Sequence, residues 1–169
     1  MFQQLLREES ICVGLKAENQ KSAFKQLIDA IPAELSADQK EQLLNSLMAR
    51  EKFGTTAIGD GVALPRAVST DVSLPVAILG INREGIPFPS LDGSPVFIIF
   101  LLIWPDREER ARERQQVLQN AENFFRDSFL RERIKIALNP EEVYEILLRE
   151  GSQFREANSR VPLYQAVLD

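Results

Sequence analysis

The sequence predicts an α/β fold, a single-layer mixed β-sheet flanked by helices on both sides. Two observations carry that expectation. The runs L-P-V-A-I-L-G-I at 74–81 and V-F-I-I-F-L-L-I at 96–103 are apolar without alternation, as in strands covered on both faces. Around them lie segments with apolar residues at helical spacing, opened by capping residues and closed by proline or glycine.

The elements follow in chain order. Residues 11–17 place Ile11, Val13, Leu15 and Ala17 at period two, which predicts a strand with those four on one face and Cys12 on the other. From Asn19, a suitable N-cap, Ala23, Phe24, Leu27, Ile28 and Ile31 recur at helical spacing until Pro32. Ser36 and Gln39 form a capping box that opens a second helix with Leu43, Leu44, Leu47 and Met48 inward, and the two helices are expected to form a hairpin. The stretch 54–61, G-T-T-A-I-G-D-G, predicts a tight loop leading into a short strand, V-A-L-P, that Pro65 stops. After the two central strands, Asp106 to Glu109 makes a capping pattern for a helix that buries Val117, Leu118, Ala121, Phe124 and Phe125. Phe129, Leu130, Ile134 and Leu138 predict a further helical piece. Asn139, Pro140 and Glu142 open a last helix, with Val143, Ile146 and Leu147 inward and an end near Gly151.

Composition excludes most familiar chemistry. The 169 residues contain no histidine, which removes imidazole as base, nucleophile, metal ligand or phosphoryl acceptor. With Cys12 the single cysteine, a metal could be held only by carboxylates, and neither metal nor cofactor is expected. Twenty basic against twenty-five acidic residues, with no long Lys/Arg block, argue against nucleic acid as a partner. The apolar run at 96–103 is far shorter than the roughly 20 residues that span a bilayer, so no membrane insertion is expected. The charged opening M-F-Q-Q-L-L-R-E-E-S and the lone cysteine point to a reducing, cytoplasmic setting. Cys12 is expected to be a buried filler, Trp104 a core-edge or interface residue, and D-R-E-E-R-A-R-E-R at 106–114 a solvated helix face.

The most informative segment is L-M-A-R-E-K-F-G-T-T-A-I-G-D-G-V-A-L-P-R-A at 47–67. It resembles the active-site segment of the enzyme IIA domains of the bacterial phosphoenolpyruvate-dependent sugar phosphotransferase system, in the fructose/mannitol and nitrogen-regulatory class. That pattern is an Arg-Glu pair closing a helix, a Gly and Ser/Thr turn, then Ile-Gly-x-Gly-Ile/Val-Ala-x-Pro-His, whose histidine accepts the phosphoryl group. Arg50 and Glu51 match the pair, Gly54, Thr55 and Thr56 the turn, and Ile58, Gly59, Gly61, Val62, Ala63 and Pro65 the rest. Arg66 stands where the histidine should be. Counting back from F-F-R-D puts Arg114 or a neighbour at the place of the second histidine that many members carry. The resemblance implies an enzyme IIA-like domain over 1–151, followed by a C-terminal tail or interface arm over 152–169. It also implies a protein partner: the histidine-containing phosphocarrier protein, a permease domain or a regulated target.

A guanidinium has no available nitrogen lone pair near neutral pH, so Arg66 is expected not to accept a phosphoryl group and no catalytic residue is assigned. What it does well is bind a phosphate or carboxylate through paired charge-assisted hydrogen bonds. Arg50, Thr55, Thr56, Arg66 and Arg114 are therefore the candidate residues for a phosphate-like anion or for a partner. Two further readings stay open: a solvated arginine in a site that has lost its task, and phosphoryl transfer through another acceptor such as Asp60, Thr55 or Thr56.

Overall fold

A computed structural model describes residues 2–107 and 110–159. Its centre is a hairpin of two long strands, β5 (Val76–Ile86) and β6 (Val96–Pro105), which pair antiparallel. On the outer side of β5 lies β1 (Ile11–Val13), parallel to it. Along the other side of β6 run β3 (Val62–Ala63) and β4 (Arg66–Ser69), both parallel to it, and β2 (Ala57–Gly59) pairs antiparallel with β3. The sheet is thus mixed, in the order β1-β5-β6-β3-β2 with β4 beside β6.

The unbroken hydrophobicity of the central strands has the expected cause. Ala77, Leu79 and Ile81 of β5 and Ile98, Phe100, Leu102 and Trp104 of β6 face one apolar cluster. That cluster is closed by α3 (Ala111–Phe125), α4 (Ser128–Ile136) and α5 (Pro140–Ser159). Ile78, Ile99, Leu101 and Ile103 face a second cluster, closed by α1 (Gln20–Asp29) and α2 (Ala37–Lys52). Every second residue serves one layer and its neighbour serves the other, so no polar residue interrupts the run. Asn19 and Ser36 cap α1 and α2 through capping boxes, each accepting the N–H three residues on. Phe2 is fully buried and meets Phe100 and Phe124 edge-on at 5.3 and 5.0 Å, so the N-terminal segment belongs to the core.

Several expectations need correction. The first strand stops at Val13: Gly14 turns the chain at φ +77°, and Leu15 then faces the α1/α2 cluster while Ile11 and Val13 face the other. Leu15 fits there because Gly80 lacks a side chain. A Cβ on Gly80 would lie 2.5 Å from Leu15 Cδ1 and 2.6 Å from Leu27 Cδ2. The stretch 54–61 is not only a loop but carries a two-residue hairpin turn, with Asp60 and Gly61 at φ +54° and +76°, between β2 and β3. Pro65 interrupts the edge strand rather than ending it, since the chain resumes pairing with β6 as β4. The helix expected from Asp106 begins at Ala111, with Arg110 in the cap position and no side-chain cap bond. Asp106 instead donates its N–H to the Ser69 carbonyl at 3.1 Å. Glu109 lies outside the described residues.

Leu130 and Ile134 are buried as expected, whereas Phe129 and Leu138 are each 71% exposed. The last helix runs through Gly151 to Ser159. Gly151 is a point of close approach, not a stop: a Cβ there would sit 2.7 Å from Gln3 Nε2. Of the expected tail, 152–159 continues this helix and 160–169 lies outside the described residues. Trp104 is buried at 1% exposure, which makes it core. Cys12 is half-buried against the α1/α2 cluster, and burial pushes its thiol pKa up, so thiolate is disfavoured. Arg110 pairs with Glu113 at 3.6 Å in the charged run.

Candidate functional site

Three arginines distant in sequence converge where α2, β4 and α3 meet at the sheet's edge. Arg50 lies in the last turn of α2, one helical turn after Ser46, so both present the same face. Arg66 is the first residue of β4, opposite Leu102 of β6. Its side-chain parity follows Leu64 and Leu102, which turn it towards the helical layer that contains α3. Arg114 lies three residues before the buried Val117 in the first turns of α3. Ser46, Arg50, Arg66, Ala67, Val68 and Arg114 line a basin of about 310 Å³.

The basin concentrates positive charge. Burial lowers the pKa of the half-buried Arg66 guanidinium, and the nearby Arg50 charge adds to that effect; Glu122 and Glu51 oppose it, while Arg114 reinforces it. Among the described residues, none of the ion pairs joins these three arginines to a carboxylate. Arg50 donates to the Gly54 carbonyl at 2.9 Å, which ties the end of α2 to the following turn. Arg66 reaches the Leu64 carbonyl at 3.5 Å, a long contact.

The two threonines do not line this basin. The Thr55 hydroxyl donates to the Pro89 carbonyl and accepts from the Ala57 N–H at 3.0 Å. Thr56 is buried; its hydroxyl donates to Glu51 Oε1 and its N–H donates to Glu51 Oε2 at 3.1 Å. Gln20 Nε2 donates to the same Oε2 at 2.9 Å. Glu51 is therefore a hub that fixes the turn between α2 and β2, while Arg50 beside it faces the basin. Asp60 sits at the hairpin turn with its carboxylate exposed and 3.8 Å from Arg131. Its N–H donates to Asp92 Oδ2 at 2.8 Å. That bond, followed by the Ser94 N–H, lowers the Asp92 carboxyl to about 2.

Sequence reasoning missed Ser46 and Glu122. Ser46 could have been found from its spacing to Arg50, and Glu122 lies eight residues after Arg114 along the same helix. Among the described residues, no group of three or more His, Cys, Asp or Glu could hold a metal ion, and no helix is long and apolar enough to cross a membrane.

Comparison with known proteins agrees with this architecture. A nitrogen regulatory protein of Bradyrhizobium diazoefficiens is 29% identical over 143 residues, which cover 85% of this chain and 92% of that protein. One from Pseudomonas aeruginosa is 26% identical over 148 residues, covering 87% and 94%. The crystal structure of the nitrogen regulatory protein IIA-Ntr from Neisseria meningitidis superposes with a TM-score of 0.76 at 28% identity, covering 86% of this chain and 97% of that one. The crystal structure of IIA mannitol from Escherichia coli gives 0.66 at 20% identity, covering 84% and 98%, a likeness of fold. The family described as phosphoenolpyruvate-dependent sugar phosphotransferase system, EIIA 2, matches residues 4–150, the span that builds the sheet, both helical layers and the arginine basin. The chain belongs to this EIIA 2 family of the phosphotransferase system.

Proposed function

We propose that this EIIA-like domain is a regulatory, protein-binding module of the cytoplasm that carries no phosphoryl group. The observation that carries the reading is Arg66, set beside Arg50 and Arg114 in a chain without histidine. Phosphorylation of a family histidine would add roughly -1.5 to -2 charges and take them away again. Arg66 supplies a fixed positive charge, because a guanidinium stays protonated near neutral pH even when burial and neighbouring arginines lower its pKa. The surface is thereby held at the electrostatic sign of an unphosphorylated relative, and a switch becomes a constant.

The nitrogen regulatory proteins of Bradyrhizobium diazoefficiens and Pseudomonas aeruginosa, each matched over more than nine-tenths of its length, support a regulatory role. A partner protein is in keeping with the Escherichia coli mannitol enzyme IIA, which is known in complex with phosphorylated enzyme IIB. Transfer through Thr56 is disfavoured because the side chain is buried at 2% exposure, and through Thr55 because its hydroxyl donates to a backbone carbonyl, which cannot act as a base. The partner class remains the one the resemblance implies: the histidine-containing phosphocarrier protein, a permease domain or a regulated target.

A bait comparison tests the reading. The wild-type chain should retain the same partner, in the same amount, before and after exposure to the phosphorylated carrier, and Arg66→Glu should lose it. A partner released only after that exposure would mean that the surface still switches.

A further inference from the structure

The basin at the junction of α2, β4 and α3 has unspent hydrogen-bonding capacity. Each guanidinium has five N–H donors in a planar fork. Arg50 gives a bond to Gly54 and Arg66 a long one to Leu64, which leaves most donors of the lining uncommitted to these carbonyls. The carboxylates that act on Arg66, Glu122 and then Glu51, offset part of the charge without forming an ion pair with it among the described residues. Glu51 already accepts from Thr56 and Gln20, and Glu122 lies outside the lining of the basin.

We propose that Arg50, Arg66 and Arg114 form a noncovalent site for a phosphoryl dianion, either a free phosphate monoester or a phosphorylated side chain of a partner. This rests on the reading of Arg66 as a residue that does not become phosphorylated. Three cations approaching from a helix end, a strand and a second helix suit a tetrahedral, divalent group better than a planar, monovalent carboxylate, whose oxygens lie in one plane. The Ser46 hydroxyl on the rim adds a neutral donor, and Ala67 and Val68 provide an uncharged wall. A volume near 310 Å³ holds a phosphate with a small group attached. Binding would also relieve the mutual repulsion of Arg66 with Arg50 and Arg114.

The test is a calorimetric titration of the full chain with inorganic phosphate at constant ionic strength, with acetate as the comparison anion. A Kd of about 1 mM or tighter for phosphate is expected, with acetate at least tenfold weaker. Arg66→Gln and Arg114→Gln, on different elements, should each weaken phosphate by about tenfold or more, the scale of a charge-assisted hydrogen bond. Arg112→Gln, an exposed arginine outside the lining, should change it by less than about twofold. A hexose phosphate and a phosphoserine peptide then distinguish the sources, since the one that binds more tightly than inorganic phosphate carries the natural group. A phosphate Kd above about 10 mM, equal affinity for acetate, or affinity unchanged in both lining variants would overturn the inference. Those results would leave the reading of Arg66 standing. That reading falls instead if the chain gains a covalent phosphoryl group.

Discussion

Replacing Thr56 by valine removes one hydroxyl and retains the shape, and it tests whether this residue holds the turn beside the basin. Thr56 is 2% exposed, and its O–H donates to Glu51 Oε1. The carboxylate keeps the Thr56 N–H at 3.1 Å and Gln20 at 2.9 Å on its other oxygen, so the variant loses a single charge-assisted bond. Loss of a buried bond to a charged group costs about 1.5–3 kcal/mol. For a chain of this length each kcal/mol lowers the melting temperature by roughly 2–4 °C, which gives a fall of about 3–12 °C. Thermal unfolding followed by circular dichroism measures it, and the same substitution in a Glu51→Gln background should cost less because the charged acceptor is gone. A loss below about 0.5 kcal/mol, or an equal loss in both backgrounds, would refute the view that Thr56 serves the Glu51 hub.

Other substitutions test the corrected faces and the hairpin. Ile134→Ala should cost about 2–5 kcal/mol because the side chain is fully buried, whereas Phe129→Ser on the same helix, which loses little beyond the cation–π contact with Arg133, should stay within about 1 kcal/mol; urea midpoints compare them. Asp92 has its carboxyl pKa lowered to about 2 by the Asp60 and Ser94 N–H groups. A depressed folded-state pKa gives stability that is present above the unfolded value near 3.8 and is lost as pH falls through about 2. Asp92→Asn should therefore remove that part of the acid dependence, so that the variant and wild-type urea midpoints converge as the pH is lowered. If the two curves keep a constant separation from neutral pH down to pH 2, the N–H bonds do not tune this carboxyl.

The central strands were legible because burial on both faces leaves an unmistakable apolar run, and the first two helices because Asn19 and Ser36 cap them by local bonds. Strands β2 and β4 were not, since a few residues flanking Asp60–Gly61 or following Pro65 are too short to show a period. Gly14 hid the change of face at Leu15, because alternation assumes that the strand continues. Helical spacing placed Phe129 and Leu138 inward together with Leu130 and Ile134; spacing alone cannot say how far the covering surface extends. Arg50 and Arg66 were singled out by the motif, and Arg114 by its place in the family pattern. Their meeting is a tertiary fact that needs three elements. The hydroxyl directions of Thr55 and Thr56 depend on Pro89 and on Glu51, which is why their place in the glycine-rich turn of the motif put both threonines in the anion group.

The most direct measurement is the intact mass of the purified chain after incubation with phosphoenolpyruvate and the system's phosphoryl donors, beside a histidine-bearing relative as positive control. The relative should gain one phosphoryl group while this chain keeps its starting mass. A stoichiometric gain on this chain, mapped to any of its residues, would contradict the claim that Arg66 has made the surface a constant.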